Sequence, residues 1–196
     1  MRLKISVMVV IAETERLIIR TWILEEDAYQ AFQIYSDPYV THFLKTKVDS
    51  VEGGRNLLER WVTRATQLNN GTGWWAIVNK ENGEVIGTVI LLQLPDNESQ
   101  LTQDYEVGWH LKKSAWGKGY ATEAATVILD YGFNALKLPA IYAVIRPQNT
   151  ASIRVAQRLG MTPLGLTTRY YGAGLEMFEL EATRVLKTTG NAKVTT

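Results

Sequence analysis

The sequence predicts a mixed α/β (α+β) domain of about seven strands and about four helices, in the order β-α-α-β-β-β-α-β-α-β-β. Two adjacent patterns illustrate how the spacing of apolar residues predicts a strand and a helix. Val107, Trp109 and Leu111 alternate with more polar residues, which predicts a half-buried strand. Apolar residues recur at helical spacing from 121 to 133, which predicts a helix directly after it. With 196 residues and 46% hydrophobic content, the chain can bury a substantial core.

The first half of the chain is expected to contain one strand and two helices before the sheet continues. A strand at 15–20 precedes a helix with three acids at 25–27, which favour a helix start. That helix should stop near Pro38, because proline restricts the residue before it. A second helix is predicted at 51–68, with the Gly53-Gly54 pair weakening its first turn.

Turn residues divide the middle of the chain into strands at 74–78, 84–92 and 104–111. Asn82-Gly83 is a strong hairpin signal between the first two of them. Gly87 inside the return strand predicts a bulge.

The last part of the chain is expected to alternate helices and strands. The predicted segments are a helix at 120–134, a strand at 141–145, a helix at 149–159, and closing strands at 161–169 and 175–182. Asn149 is a suitable N-cap, and Gly160 a suitable residue to end the helix that follows it. We therefore predict one domain at 14–186, an N-terminal extension at 1–13, and a polar, disordered tail at 187–196.

The composition excludes several functional classes. The chain has no cysteine, which rules out disulfides, thiolate zinc sites and a cysteine nucleophile, and its two histidines make a metal site unexpected. A net charge of +1 gives no reason to expect a nucleic-acid or membrane partner. Residues 1–12 faintly resemble a signal peptide but are too short to span a bilayer, so we interpret them as an extra strand or ordered extension. We expect a cytoplasmic protein.

Residues 106–124 form a strand, a turn containing Gly117 and Gly119, and a helix start, which together predict an anion site. A Walker A loop is excluded, because Gly119 follows Lys118 and the required earlier glycine position is Lys112. A dinucleotide fingerprint is excluded because its third glycine is Thr122 here.

Residues 116–121 resemble the Q/R-x-x-G-x-G/A loop of the GNAT superfamily of N-acetyltransferases, except at the first place, which is Trp116. The longer run to residue 124, together with the start at 14–17, is similar to the RimJ/RimL-like branch of ribosomal-protein N-terminal acetyltransferases. The resemblance covers about 14–186. It implies the GNAT fold, with a central mixed, mostly antiparallel twisted sheet flanked by helices, and acetyl-CoA as co-substrate without a metal.

Residues 149–161 resemble a second segment of the same family, N-x-x-S followed by L-G-F. There the asparagine binds the pantetheine arm of CoA, and the serine lies near the thioester sulfur, which implies these roles for Asn149 and Ser152. Alternatively, Asn149 only caps the helix and Ser152 only bonds its first turn. At position 156 this chain has alanine, whereas many family members have a tyrosine that acts as the general acid. The general acid is then Ser152, another residue such as Tyr170 or Tyr171, or solvent.

The base that deprotonates the acceptor amine is expected to be Glu106, since family members often carry a glutamate at this place in the strand. The alternative is an ordinary polar residue facing outward. An amine must be neutral to attack a thioester, and at pH 7 roughly one α-amine in ten is neutral, against about one lysine amine in a thousand. A base therefore helps most with lysine-like acceptors.

The resemblance assigns the remaining candidates. Cofactor-binding candidates are Leu111, Lys113, Trp116, Gly117, Lys118, Gly119, Tyr120, Ala121, Thr122, Asn149 and Ser152. Candidates for the acceptor site are Tyr39, Phe43, Tyr170 and Tyr171.

Two functions remain open from the sequence. The first is direct, acetyl-CoA-dependent acetyl transfer to a primary amine of a protein N-terminus or a small molecule. The second is a non-catalytic acyl-CoA-binding sensor or interaction module with the same fold. The family resemblance also leaves a homodimer open.

Overall fold

The computed structural model describes residues 8–182, which fall into two compact units. The described part of the first unit is 8–92 with 108–128, and that of the second is 93–107 with 129–182. The predicted tail at 187–196 and the first seven residues lie outside the described residues.

Residues 8–182 form eight strands and five α-helices, and the mixed α/β class is confirmed. The strands are β1 (Val10–Glu13), β2 (Leu17–Thr21), β3 (Gly73–Asn79), β4 (Val85–Pro95), β5 (Leu101–Leu111), β6 (Ala140–Ile145), β7 (Thr162–Thr167) and β8 (Leu175–Glu181). The helices are α1 (Leu24–Tyr35), α2 (Pro38–Thr41), α3 (Val51–Leu68), α4 (Tyr120–Asn134) and α5 (Thr150–Arg158). None of the helices in this part of the chain is both long and apolar enough to cross a membrane.

The first unit is built on antiparallel pairing of β1 with β2, β2 with β3, and β3 with β4. The C-terminal end of β5 lies next to β4. A bulge interrupts the β3–β4 register beside Gly87, as the sequence predicts. A Cβ at Gly87 would come within 2.2 Å of the carbonyl oxygen of His110, so glycine is needed for the close approach of β5.

Helices α1 and α3 enclose an aromatic core in the first unit. Its buried members include Trp22, Tyr35, Leu58 and Trp61. The start of α3 is well anchored, because the Ser50 hydroxyl accepts a hydrogen bond from the backbone N–H of Gly53 at 3.0 Å.

The second unit contains the antiparallel pairs β6–β8 and β7–β8. β5 pairs with β6 in parallel, with Glu106 opposite Tyr142. A small cluster of Leu94, Tyr170 and Met177 is buried in this unit. The side chain of Asn149 caps α5, as predicted, by accepting from the backbone N–H of Ser152 at 3.2 Å.

Candidate active site

The glycine turn of the first unit connects β5 to α4 in an open conformation. Gly117 and Gly119 have φ angles of +75° and +82°, a region that side-chain-bearing residues rarely adopt. The backbone from Trp116 to Gly119 is exposed, and a Cβ at Gly117 would meet no atom within 4 Å. The turn therefore leaves room for a ligand to approach the main chain closely.

The turn ends where α4 begins, and the carbonyl of Gly119 accepts the first helical hydrogen bond, from Glu123 N–H at 3.0 Å. The first N–H groups of a helix have no intrahelical partner, and the helix dipole is positive there. The predicted cofactor-binding positions Tyr120 and Ala121 lie in this first turn. Their backbone therefore suits a negatively charged group such as a phosphate.

The other cofactor-binding candidates of this unit hold the start of the turn. Leu111 is buried, and its carbonyl accepts a hydrogen bond from the indole N–H of the half-exposed Trp116 at 2.8 Å. Lys112 forms an ion pair with Glu84. The ammonium of Lys113 lies 3.7 Å from the ring centroid of Tyr39, which links a cofactor candidate to an acceptor candidate.

Two residues outside the predicted site, Arg16 and Glu123, connect the turn to the segment that precedes β2. The guanidinium of Arg16 pairs with the Glu123 carboxylate, with Nε 2.8 Å from Oε2, and its Nη1 donates to the carbonyl of Lys118 at 3.1 Å. The hydroxyl of Thr14 donates to the other carboxylate oxygen at 2.5 Å. The only sequence signal for these contacts is that both segments fall inside the family resemblance.

A buried carboxylate is the main chemical feature of the second unit. Glu106 is only 7% exposed, and the Tyr171 hydroxyl donates a hydrogen bond to its Oε1. Burial raises the pKa of Glu106 to about 7, while the hydrogen bond from Tyr171 acts in the opposite direction. A carboxylate with a pKa near neutrality can take up and release a proton at physiological pH.

The loop between β7 and β8 holds Tyr171 in a strained conformation. Its φ is +58°, which is unusual for a residue other than glycine. Asn97 braces the loop on both sides, donating to the carbonyl of Thr168 at 2.8 Å and accepting from the N–H of Gly172 at 3.0 Å. Strain of this kind is concentrated at functional sites, because the surrounding structure must enforce it.

The remaining second-unit candidates occupy different environments. Asn149 and Ser152 are half-buried at the start of α5. Ala156 is fully buried in the same helix. Tyr170 is also fully buried, and its hydroxyl donates to Asp104 at 2.5 Å, so it contributes to the core of the unit rather than to an open surface.

The first-unit acceptor candidates lie around α2. Tyr39 is 64% exposed, and Phe43 is half-buried with its ring 4.5 Å from that of His42. The sequence did not predict α2, where Asp37 accepts from Tyr39 N–H at 2.8 Å and Pro38 occupies the first helical position.

A polar cluster next to the C-terminal end of β5 is not predicted from the sequence. The hydroxyl of Tyr35 is 2.6 Å from that of Thr88 and 3.2 Å from Nδ1 of His110. Burial lowers the pKa of His110 to about 4, so the imidazole is neutral at pH 7. The three residues come from α1, β4 and β5, and no local pattern marks them as neighbours.

A turn suited to an anion at a helix start and a buried carboxylate of neutral pKa are both compatible with a transferase that acts on a phosphorylated acyl carrier. The chain belongs to the acetyltransferase (GNAT) domain family, whose model matches residues 16–162. It is thus an acetyltransferase, as the resemblance predicts.

Individual relatives agree with this assignment. An uncharacterised N-acetyltransferase of Bacillus licheniformis, p20, is 33% identical over 175 residues, which cover 89% of this chain and 94% of the relative. The crystal structure of an acetyltransferase from Agrobacterium tumefaciens is 26% identical, with a TM-score of 0.69, covering 92% of this chain and 98% of that one. RimL, a ribosomal-protein α-N-acetyltransferase solved with coenzyme A, shares the fold at 15% identity and a TM-score of 0.72, covering 88% of this chain and 98% of its own.

Proposed function

We propose that the protein transfers an acetyl group from acetyl-CoA to a primary amine, with Glu106 as the general base. The observation that carries the proposal is the buried Glu106 carboxylate, whose pKa lies at about 7 and which accepts a hydrogen bond from Tyr171. Such a group is partly ionised at neutral pH, and it binds a proton strongly enough to remove one from an attacking amine.

The glycine turn supports acetyl-CoA as the acetyl donor. The turn offers main-chain N–H groups, no obstructing side chain at Gly117 or Gly119, and the positive end of α4, all of which suit the pyrophosphate of CoA. Lys113, Lys118 and Thr122 lie in the same segment. When bound, acetyl-CoA supplies an activated thioester, and the residues of the chain position it and handle the protons.

The proton movements follow from the residues of the second unit. The amine nitrogen forms the new bond to the acetyl carbon, and Glu106 takes the proton that the nitrogen loses. The carbon–sulfur bond breaks, and the thiolate receives a proton from Ser152 or from solvent. Asn149 holds the pantetheine arm beside Ser152. Polarisation of the acetyl carbonyl by main-chain N–H groups near Leu111 stays a prediction of the family resemblance. No cysteine is available for a thioester intermediate, which agrees with direct transfer.

The acceptor is a protein N-terminus or a small-molecule amine. The two depend on Glu106 to different extents, because they differ in the fraction of amine that is neutral at pH 7. Among the acceptor-site candidates we propose Tyr171, whose hydroxyl bonds Glu106, as the side chain that contacts the acceptor amine. Tyr39 and Phe43 stay predictions of the sequence. The likeness to the RimJ/RimL-like branch favours an N-terminal amine, which is partly neutral at pH 7 without help. A homodimer and a cytoplasmic location stay predictions of the sequence.

An acceptor screen tests the proposal. Release of the CoA thiol is followed with peptides bearing free N-termini, polyamines and aminoglycosides, and the Glu106→Gln variant reports the background. Turnover with one acceptor class, lost in the variant, is the expected result. Tight CoA binding without turnover on any acceptor would overturn the catalytic proposal and favour an acyl-CoA-binding module.

A further inference from the structure

The first turn of α4 contains a feature that should weaken an anion site. Glu123 places an acidic side chain in the first turn of α4, one helical turn after Gly119. A negative charge there stabilises the helix itself, but it repels a second anion at the same helix end. A functional anion site therefore requires that this carboxylate be neutralised and turned away.

Arg16 and Thr14 satisfy that requirement within the first unit. Arg16 Nε donates to Oε2 of Glu123 at 2.8 Å, and its Nη2 pairs with the same oxygen. The hydroxyl of Thr14 and the backbone N–H of Arg16 donate to Oε1 at 2.5 and 3.3 Å. Burial alone would raise the pKa of Glu123, but these hydrogen bonds and the Arg16 charge outweigh it and lower that pKa. Both carboxylate oxygens are thus occupied by donors.

Arg16 also fixes the backbone of the turn. Its Nη1 donates to the carbonyl of Lys118 at 3.1 Å, and its guanidinium carbon lies 4.6 Å from the ring centroid of Tyr120. In a planar trans peptide, the carbonyl of one residue and the N–H of the next point in opposite directions. Because Arg16 holds the Lys118 carbonyl toward itself, the Gly119 N–H points away from that contact.

We propose that the Arg16–Glu123 ion pair positions the glycine turn for the diphosphate of CoA, an inference that rests on the proposed function. The Arg16 side chain neutralises the carboxylate of Glu123, and it also orients the peptide between Lys118 and Gly119. The planar fork of arginine can bind both targets together, whereas lysine supplies one charged point.

Exposure distinguishes this role from simple structural support. The Arg16 side chain is 46% exposed, and ion pairs of that exposure contribute little to stability. We therefore expect loss of the pair to reduce the affinity for CoA much more than the thermal stability of the fold.

A double-mutant cycle measured by calorimetric CoA titration tests the proposal on the full chain. Arg16→Met removes the cation that neutralises Glu123, although Thr14 still donates to its Oε1, and it should weaken CoA binding by about ten-fold or more. Glu123→Gln removes the repelling charge and should weaken binding by only about two- to three-fold. In the Glu123→Gln background, Arg16→Met should then weaken CoA binding clearly less than it does in the wild type. In the wild-type background, Arg16→Lys should bind CoA more tightly than Arg16→Met and less tightly than the wild type.

Two comparisons isolate the phosphate contribution. Arg55→Met breaks another exposed ion pair, with Glu25, and should leave CoA affinity unchanged. The KM for acetyl-CoA should rise in Arg16→Met, whereas the KM for S-acetylpantetheine, which lacks the nucleotide phosphates, should not. Circular dichroism melting identifies any variant that fails to fold. If Arg16→Met does not fold, the CoA affinity and the KM values of Arg16→Lys are compared with those of the wild type instead.

Equal CoA affinity in Arg16→Met and the unsubstituted chain would overturn this inference and leave the proposed function intact. An equal rise in KM for S-acetylpantetheine would also overturn it, because the effect would then not involve the phosphates. Failure of the unsubstituted chain to bind CoA would overturn the proposed function itself.

Discussion

The Tyr171 hydroxyl donates a hydrogen bond to Oε1 of Glu106, and the tyrosine reaches it from a backbone conformation with φ of +58°. A left-handed conformation costs a side-chain-bearing residue about 1 kcal/mol. Asn97, which bonds Thr168 and Gly172 on either side, holds the loop in place. The proposed base is therefore positioned by a loop that the second unit itself constrains.

Removing this hydrogen bond should shift the pH dependence of catalysis. Tyr171→Phe deletes a donor that favours the ionised carboxylate, so the pKa of Glu106 should rise above about 7. The acidic limb of the kcat/KM profile, measured with the acceptor found by the screen, should move to higher pH by roughly one unit. Tyr170→Phe removes the neighbouring hydroxyl, which bonds Asp104 instead, and should leave that limb in place. An unshifted limb in Tyr171→Phe would show that this contact does not set the ionisation of the base.

Loss of the base should be most severe at neutral pH. Glu106→Gln keeps the side-chain size but cannot accept the amine proton, and kcat/KM at pH 7 should fall by about 10²- to 10³-fold. For an α-amine acceptor the deficit should shrink toward pH 9, because the free amine then exists without a base. Rate measurements across this range, with CoA titration to confirm intact binding, test the assignment. A deficit of the same size at pH 7 and pH 9 would contradict it.

The same substitution should stabilise the fold above neutral pH. The folded-state pKa of Glu106, about 7, lies above its unfolded value of 4.5. Its favourable contribution is therefore complete below pH 4.5 and is lost as the pH rises through 7. Each pH unit between those values reduces stability by about 1.4 kcal/mol, which gives a total of roughly 3 kcal/mol.

Urea denaturation of Glu106→Gln and wild type at pH 4.5 and 8 measures this difference. The variant should be the more stable protein at pH 8, by up to about 3 kcal/mol. The exposed Glu98→Gln is the control and should show no such gain. A destabilised Glu106→Gln at pH 8 would indicate that the ionised form makes a favourable contact beyond the one with Tyr171.

Local patterns were sufficient to predict the positions of several site residues. Strand alternation placed Glu106 in β5, and the cap preference of asparagine placed Asn149 at the start of α5. The Glu106–Tyr171 contact joins residues 65 positions apart, and the Arg16–Glu123 contact spans 107. Neither follows from periodicity, because each depends on how distant loops and strands pack.

Ambiguous local signals explain two other differences. Asp37-Pro38 predicts a helix stop, and α1 does end just before it, at Tyr35. The same two residues are also suited to an N-cap and a first helical position, and they begin α2, which the sequence prediction lacks. The Gly53-Gly54 pair predicts a weak first turn in α3. In the fold, Gly54 instead permits the close packing of α3 on α1, where no larger residue fits.

An acidic side chain in the glycine turn should abolish CoA binding. Gly119→Glu adds a negative charge at the helix start and a side chain at a position with φ of +82°. Gly165→Glu is a matched control, because Gly165 has φ of +86° in β7 of the second unit, and a Cβ there would meet no atom within 4 Å. Both variants carry the same backbone strain, but only Gly119→Glu should lose CoA affinity, as measured by titration. Undiminished affinity in that variant would refute the assignment of the turn to the pyrophosphate.

The two glycines of α3 should respond in opposite ways to alanine. A Cβ at Gly54 would lie 2.6 Å from the carbonyl oxygen of Ala28 and 2.9 Å from the backbone nitrogen of Phe32, both in α1. Backbone atoms cannot yield locally, so α1 and α3 must separate and expose core around Leu57. We expect Gly54→Ala to reduce the free energy of unfolding by about 2–3 kcal/mol.

Gly53→Ala provides the comparison one residue earlier. Its nearest neighbour would be the Ser50 side chain at 3.2 Å, which can adjust, and alanine favours the helix by about 1 kcal/mol over glycine. Gly53→Ala should therefore be neutral or stabilising in urea denaturation, and Gly54→Ala clearly destabilising. Because the two substitutions have similar helix propensity, the difference between them measures mainly the helix–helix contact, with a smaller contribution from the Ser50 cap next to Gly53. Equal stabilities would mean that α1 and α3 pack less closely than the structure shows.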